Sequence, residues 1–340
     1  FVGGRQTPGE YPVTPRSHVL LNEGDRFVDI TEEISPELVR PGMVTDALWT
    51  DIDQDGNNDL IIAGEWMPVK VMMNDGVTLS DRSLALGLEN TEGWWFSLST
   101  GDLNQDGKLD LIAGNLGLNY KYQASPQEPF EVWSEDLDEN GTRDIVLSYY
   151  NEGSCYPLRG RQCSSEQIPE IKEKFVDYHS FGSSTLIDVY GQEKLDLALH
   201  FQAKTFASTL FLSNGDQYRS IPLPNMAQFS SVNGIVIADL DSDGFEDVLI
   251  AGNLFVSEVE TPRNDASVGL FMKGNGNGEL DPIPVTESGF FAPGDVKNIA
   301  LVRMSNGKNG IAVANNDGPV QFFVVDPSAP TGSVRALSQR

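Results

Sequence analysis

Four short acidic segments carry the side chains of this sequence that could bind a metal ion. Each follows the pattern Asp-x-Asp/Asn-x-Asp/Asn-Gly-x-x-Asp, which places side-chain oxygens at positions 1, 3, 5 and 9 and a glycine at position 6. Oxygen ligands at this spacing suit Ca²⁺, because the glycine permits the sharp turn that brings them together. We call the segments loops 1 to 4, and they begin at Asp51, Asp102, Asp136 and Asp239.

The predicted ligands occupy positions 1, 3, 5, 7 and 9 of each loop, position 7 acting through its backbone carbonyl. In loops 1 and 2 they are Asp51, Asp53, Asp55, Asn57, Asp59, and Asp102, Asn104, Asp106, Lys108, Asp110. In loops 3 and 4 they are Asp136, Asp138, Asn140, Thr142, Asp144, and Asp239, Asp241, Asp243, Phe245, Asp247. The sequence therefore predicts about four Ca²⁺ ions per chain.

Turns without metal are the alternative, because Asp, Asn and Gly also favour tight turns. Against it, the carboxylates crowded into each loop would repel one another without a cation. The loops also differ from an EF-hand, since position 12 is never Glu and a strand-like run follows instead of a helix. Mg²⁺ fits less well than Ca²⁺ because it prefers to keep its waters.

Each loop lies between two apolar runs with the length and the Ile/Val content of buried strands. The runs before the loops are 44–50, 94–100, 130–133 and 234–238, and those after them are 60–64, 111–114, 145–147 and 248–252. Further strand-like runs at 69–73, 209–212 and 270–272 lead to Gly-containing turns that are typical of antiparallel hairpins. The repeating unit is therefore strand, calcium loop, strand.

Two further units, beginning at Asp188 and Val302, keep this framework but lack most carboxylates, so we expect no calcium there. The six units begin about 50 residues apart on average, close to the length of one four-stranded propeller blade. Residues 1–5 align with 61–65, so the chain begins inside a blade, as a processed or excised fragment would. The sequence predicts an all-β fold with one domain over 1–340, a seven-bladed β-propeller or six full blades and one partial.

One segment departs from the strand pattern. Residues 164–180 have apolar residues near helical spacing after a Ser start signal, which predicts a short helical insertion. Cys155 and Cys163 precede this segment, and they either pair locally or remain two thiols.

Composition excludes several classes of protein. Lys and Arg total 23 against 50 Asp and Glu, a formal charge of −27, which opposes nucleic-acid binding and attraction to anionic lipid. We expect no direct membrane insertion, because no apolar run approaches the length of a membrane helix. Two cysteines cannot form a disulfide-rich scaffold or a cysteine-based zinc cluster.

The repeat Asp-x-Asp-x-Asp-Gly-x-x-Asp-Leu-Ile-x-Ala-Gly resembles the FG-GAP/VCBS repeats of integrin-like β-propellers. Segments 1–5, 114–119, 260–267 and 315–317 also resemble extracellular Bacteroidetes proteins related to cartilage acidic protein and carrying ASPIC/UnbV modules. The resemblance implies a propeller with calcium loops and a location that is extracellular or at the cell surface. That location agrees with the calcium levels found outside cells.

Catalytic signals are few. His18, His179 and His200 have no zinc or triad spacing, and the sequence contains no phosphate-binding or dinucleotide motif. The sequence therefore favours a non-catalytic interaction module for a protein or glycan partner. The alternatives are a carbohydrate-active enzyme resembling polysaccharide lyases, and a structural subunit of a surface assembly.

A candidate ligand rim follows the second strand of successive units, opposite the calcium loops. Its predicted members are Arg5, Glu65, Trp66, Trp94, Asn115, Asn253, Arg263 and Asn315. Arg263 belongs to a mixed-charge loop, 260–267, that could determine specificity. We expect Trp66→Ala and Arg263→Ala to weaken binding while leaving folding unchanged. The competing interpretation is that these residues are turn caps and core aromatics.

Overall fold

Apolar runs on either side of each acidic loop form antiparallel strands, as their alternation and β-branched content predict. A computed structural model of the protein describes residues 1–257, 261–305, 307–326 and 334–336. Most of its regular structure is β, arranged in several four-stranded antiparallel sheets.

The first half of the chain contains the following strands. They are β1 (Leu20–Asn22), β2 (Phe27–Asp29), β3 (Met43–Thr50), β4 (Asp59–Met67), β5 (Lys70–Asn74), β6 (Leu79–Asp81), β7 (Gly93–Trp94), β8 (Ser97–Gly101), β9 (Asp110–Gly114), β10 (Phe130–Glu135), β11 (Asp144–Asn151) and β12 (Ser154–Pro157).

The second half continues the same pattern. Its strands are β13 (Leu199–Ala203), β14 (Thr209–Asn214), β15 (Gln217–Pro222), β16 (Gly234–Ala238), β17 (Asp247–Ala251), β18 (Leu270–Gly274), β19 (Leu280–Ile283), β20 (Val296–Arg303), β21 (Asn309–Asn315), β22 (Gln321–Val325) and β23 (Val334–Ala336).

The helices are short. They are α1 (Thr31–Ile34), α2 (Arg161–Gln167), α3 (Glu170–Lys174), α4 (Tyr178–Gly182), α5 (Leu186–Tyr190), α6 (Gln192–Leu197) and α7 (Val285–Ser288), with 3₁₀ turns at Pro36–Val39 and Asn225–Gln228. No helix among the described residues is long and apolar enough to cross a membrane.

Four sheets follow one another in chain order, and we call these four sheets the arc. Sheet 1 has the order β3-β4-β5-β6, with β7 beside β4; sheet 2 is β8-β9-β14-β15, sheet 3 is β16-β17-β18-β19 and sheet 4 is β20-β21-β22-β23. Their first strands are neighbours, since β3 packs on β8, β8 on β16 and β16 on β20. Inner strands packed in sequence are the arrangement found in a propeller.

The second strand of each sheet supplies side chains to the cores on both of its faces. In β4, Ile61 and Ala63 pack toward sheet 2, whereas Leu60 and Ile62 pack toward the N-terminal segment. In β17, Val248 and Leu249 likewise face opposite neighbours, sheets 2 and 4. Successive residues of a strand point to opposite faces, so a strand buried on both faces is continuously apolar.

Sheet 2 is interrupted by a long insertion. Its second strand ends at Gly114 and its third begins at Thr209. Between them, 115–208 form an inserted sheet of order β12-β11-β10-β13, together with α2 to α6. The two ends of the insertion are joined, because Nδ2 of Asn115 donates to the Thr205 carbonyl at 3.1 Å and the Gly117 amide donates to the Phe206 carbonyl at 2.8 Å.

The insertion corrects two sequence predictions. Loop 3 joins β10 and β11 of the inserted sheet and does not belong to the arc. The unit at Asp188 is not a strand–loop–strand; Asp188 lies in α5, where it forms a capping box with Thr185. The predicted helix at 164–180 is part of a longer helical segment, Arg161 to Leu197.

The seven-blade count is not confirmed. Loop 3 and the Asp188 unit, which the spacing predicts to be two blades, both lie inside the insertion. At the N-terminus, the described residues contain one bridge between Val2 and His18 and the hairpin β1-β2, and the partial blade stays a prediction. Cys155 and Cys163 are present as thiols, not joined by a disulfide.

Candidate metal centres and the predicted ligand rim

The four loops share one backbone conformation. In loop 1 the Asp51 carboxylate accepts hydrogen bonds from the amides of Asp55 at 3.1 Å and Gly56 at 3.0 Å. Positions 1, 5 and 6 repeat this pattern in loops 2, 3 and 4. The glycine at position 6 has φ between 84° and 95° in every loop, a left-handed conformation that favours glycine.

The aspartate at position 9 anchors each loop to its sheet. In loop 1, Asp59 is fully buried; its Oδ2 accepts from the Ile52 amide and its Oδ1 from the Asn74 amide on β5, both at 2.8 Å. Asp110 and Asp247 make the same two kinds of bond in sheets 2 and 3. Position 9, at the start of the second strand, therefore ties the loop to the third strand of its sheet.

Three loops bring three carboxylates together. One carboxylate oxygen from each member lies within 4.8 Å of the others in Asp51–Asp53–Asp59, in Asp136–Asp138–Asp144 and in Asp239–Asp241–Asp247. The site is carboxylate-rich and has one fully or nearly fully buried member, which suits a hard divalent cation such as Ca²⁺. These three loops could each hold a metal ion.

Loop 2 has the same backbone but a different ligand set. Asn104 occupies position 3, and its Oδ1 accepts from the Asp106 amide at 3.0 Å, as the position 3 aspartates of the other loops do. The amide nitrogen of Asn104 donates to Oδ2 of Asp106 at 3.1 Å. Loop 2 is therefore not one of the three-carboxylate groups, and an ion there stays a prediction.

Burial makes ionisation of the position 9 carboxylates costly. Burial, with a smaller contribution from the neighbouring loop carboxylates, outweighs the hydrogen bonds from backbone amides and raises the pKa of Asp110 and of Asp247 to about 6. Burial also raises the pKa of Asp59 and Asp144. A divalent cation would favour the ionised form of the same groups and so offset this cost.

Consecutive loops of the arc are joined by glutamines at position 4. Gln54 of loop 1 donates to the Gly107 carbonyl of loop 2, and Gln105 of loop 2 donates to the Gly244 carbonyl of loop 4 at 2.8 Å. Sequence reasoning missed this connection. The available signal was the shared Gln at position 4 of loops 1 and 2, where the other loops have Glu139 and Ser242.

The predicted rim is mostly internal. Asn115 and Asn253 are fully buried, and both bind backbone groups at the end of a second strand. The Asn115 oxygen accepts from the Trp94 and Leu116 amides, whereas the Asn253 nitrogen donates to the Ser267 and Gly294 carbonyls. The prediction that these amides face a ligand is therefore wrong, because the strand ends need them as caps.

Trp66 and Trp94 belong to an aromatic core between sheet 1 and the insertion. Trp66 is 4% exposed, stacks on Phe130 with ring centroids 5.9 Å apart and meets Trp94 edge-on at 5.1 Å. Trp94 also packs on Tyr122 and Phe206 of the insertion. The expectation that Trp66 can be removed without affecting folding is contradicted by this packing.

The remaining rim residues differ in exposure. Arg5 forms an ion pair with Glu65, which also accepts a hydrogen bond from the Tyr11 hydroxyl at 2.5 Å. Asn315 donates to the Pro319 carbonyl at 2.8 Å and so shapes the turn after β21. Arg263 is exposed, lies 4.4 Å from the centre of the Phe255 ring and pairs with Asp265. Glu260 of the same loop lies outside the described residues.

Residues 51–113 match the FG-GAP-like repeat. The matched segment begins at the first residue of loop 1 and ends in β9, so it contains two consecutive loops and the strands between them. No curated protein matches the chain significantly. A solved structure described as BBS1N in complex with ARL6DN, soaked with mercury, aligns over 86% of this chain and 82% of its own, with 11% identity and a TM-score of 0.22.

Proposed function

We propose that this protein is a calcium-stabilised β-propeller module that binds a protein or glycan partner outside the cell or at its surface. The observation that carries the proposal is the convergence of three aspartates in each of loops 1, 3 and 4. Ca²⁺ at these loops would neutralise buried carboxylates and so stabilise the sheets that they join. The FG-GAP-like match at 51–113 supports the same assignment.

The location rests on calcium supply and on sequence resemblance. Loops of moderate affinity fill at the calcium levels found outside cells. The similarity to extracellular proteins related to cartilage acidic protein favours secretion or display on the outer face of the cell. The strong net acidity disfavours nucleic acid as a partner.

A catalytic role on the rim finds little support. A lyase would need a residue such as Tyr11, beside Arg5, to act as a base. Burial, followed by the nearby Glu65 carboxylate, instead raises the pKa of Tyr11 well above its usual value. A base for catalysis near neutral pH needs the opposite shift. His200 stacks on Trp133 at 3.6 Å and binds the buried Glu131, as expected of a structural histidine.

A protein partner is favoured by the surface of the insertion. Its helical segment exposes Val176, Tyr178, Ile187 and Leu197, whose relative exposures run from 52% to 82%. Contiguous patches of exposed apolar side chains are typical of interaction surfaces, and we propose that these four residues belong to one. Arg263 on the arc remains a second exposed candidate contact.

The test has two parts. Calorimetric titration of chelator-stripped protein should show at least three Ca²⁺ sites and a preference over Mg²⁺; one ion or fewer per chain would contradict the proposal. A glycan array and a pull-down from the native cell envelope, both in calcium, should then identify the partner class. Val176→Ser/Leu197→Ser and Arg263→Ala, tested separately, should show which surface binds, with calcium content as the folding control.

A further inference from the structure

The carboxylates of loop 4 are paired with a lysine from the same sheet. Lys273 lies on β18, and its Nζ is 2.8 Å from Oδ2 of Asp243 and forms an even closer ion pair with Oδ2 of Asp241. The Asp241 side chain is only 4% exposed whereas that of Lys273 is 32% exposed, so the carboxylate end of this pair is shielded from water. Asp241 and Asp243 are the position 3 and position 5 ligands predicted for Ca²⁺.

Loop 1 offers a matched comparison without this lysine. The amides of Asn74 and Gly274 donate to the position 9 aspartates of loops 1 and 4, which makes these two residues equivalent. The residue just before them is Met73 in sheet 1 and Lys273 in sheet 3. Met73 lines a surface cleft together with Asp53 and Asp55, the position 3 and 5 ligands of loop 1.

The two loops have equal numbers of acidic ligands. Positions 1, 3, 5 and 9 are aspartate in both loop 1 and loop 4. In loop 2, the Ser213 amide donates to Asp110 at position 9. The residue before Ser213 is Leu212, which is therefore the equivalent of Met73 and Lys273. Arg82 lines the same cleft as Met73 but forms no ion pair with Asp53 or Asp55 among the described residues, so the paired ammonium group is the main difference in ion pairing between loops 1 and 4.

We propose that Lys273 is a tethered cation that takes part of the metal's role in loop 4. Its single positive charge pairs with two ligand carboxylates and offsets part of their mutual repulsion, so loop 4 keeps its turn without an ion. An entering Ca²⁺ must displace the ammonium group from both carboxylates and then tolerate a positive charge nearby. Loop 4 accordingly binds Ca²⁺ about tenfold or more weakly than loop 1. This inference rests on the proposed calcium binding.

Exchange of the two side chains tests the proposal. Lys273→Met places the loop 1 residue beside loop 4, and Met73→Lys places the loop 4 residue beside loop 1. Chelator-stripped proteins are titrated with Ca²⁺ by calorimetry, with Asp51→Asn and Asp239→Asn backgrounds to assign each binding step to its loop. Lys204→Met, which removes a lysine paired with Glu92 away from the loops, controls for the change in net charge.

We expect Lys273→Met to tighten the loop 4 step about tenfold and Met73→Lys to weaken the loop 1 step by a similar factor. Lys273→Met should also make the melting temperature more dependent on calcium, because the carboxylates of Asp241 and Asp243 then have no cationic partner unless the ion is bound. If loop 1 binds calcium but neither exchange changes an affinity, the role of Lys273 is refuted. If neither loop binds calcium in any variant, the proposed calcium function itself fails. Met73→Lys keeps the test decisive if Lys273→Met does not fold.

Discussion

Loops 1, 2 and 4 on the arc and loop 3 on the inserted sheet have the same motif in two different settings. On the arc, position 9 of each loop is held by an amide of the third strand. In loop 3, Asp144 accepts from the Leu137 amide, and the neighbouring Gln167 of α2 donates to the Ile145 carbonyl. The loop conformation is preserved although its surroundings change from strands to helices.

The comparison teaches that this motif encodes a turn between two strands and not a blade. The hydrogen bonds that form the turn run from backbone amides to Asp and Asn side chains within nine residues, so any hairpin of suitable length can carry it. Which sheet the hairpin joins depends on packing far along the chain.

Removal of calcium should have the largest effect. An ion bound only by the folded state contributes about 2.7 kcal/mol per independent site at a hundredfold excess over Kd. EGTA should therefore lower the melting temperature by on the order of 5 °C for each occupied site. Asp53→Ala should reproduce part of this drop in loop 1, and Asp138→Ala in loop 3. A melting curve unchanged by EGTA would mean that the loops are turns without metal.

Trp66→Ala should weaken the packing between the arc and the insertion. Trp66 fills the aromatic core that joins β4 to Phe130 of the inserted sheet, and truncation of a buried tryptophan costs about 3–5 kcal/mol. Denaturant unfolding measures this cost. Trp49→Ala on the adjacent strand is the control, because Trp49 is 40% exposed and its loss should cost far less. Equal costs for the two variants would contradict the packing described.

Glu131 should stabilise the inserted sheet without metal. Its side chain is 3% exposed. The carboxylate accepts hydrogen bonds from Ser148 and Gln202, and it also binds the His200 ring. Glu131→Ala would leave these partners unsatisfied, at a cost of about 1–3 kcal/mol that EGTA does not change. Glu131→Gln, which keeps one acceptor, should cost less. A cost that disappears on chelation would couple this group to the loops.

The same carboxylate should give the insertion an acid dependence. Burial raises the pKa of Glu131, but hydrogen bonds from His200 and Gln202 outweigh it, so the pKa lies below its usual value. Its stabilisation is complete above about pH 4.3, the ordinary pKa of glutamate, and is lost as pH falls through the folded-state value. The stability difference between wild type and Glu131→Gln should therefore shrink in acid. Unfolding free energies at pH 6 and pH 3.5 measure it.

The bond between loops 2 and 4 should have the smallest effect. Gln105→Ala removes an exposed hydrogen bond to the Gly244 carbonyl, which we expect to cost about 0.5 kcal/mol. Glu139→Ala changes the same left-handed position in loop 3, outside the arc, and controls for backbone strain. A double-mutant cycle between Gln105→Ala and Asp239→Asn would reveal whether the bond couples the two loops. Additive effects would mean that it is only a surface contact.

Much of the local structure was predictable from the sequence. Residues 234–238 and 44–50 form β16 and most of β3, because their alternation and flanking turns specify strands. The ligand clusters of loops 1, 3 and 4 followed from spacing alone, since all their members lie in one turn. The FG-GAP-like match agrees with the resemblance that these residues suggested.

Long-range arrangement could not be predicted in the same way. The pattern at Asp188 resembles a strand–loop–strand unit that has lost most of its carboxylates. Thr185 and Asp188 instead form a capping box, and the segment is helical. Asn115 and Asn253 looked available because polar residues often end strands at a surface, and only the packed structure reveals the carbonyls that they satisfy. The pairing of Lys273 with Asp241 could not be predicted from the motif, because 32 residues separate the two in the sequence.

The joined ends of the insertion bear on how the chain folds. Strands β9 and β14 pair through Phe211 and Leu111, so the middle of sheet 2 can close only after nearly a hundred intervening residues have been synthesised. Contacts so distant in sequence slow folding when the connecting chain is disordered. An inserted sheet that folds first would bring Asn115 and Thr205 together and act as a short tether. The segment that interrupts the sheet would then also accelerate its completion.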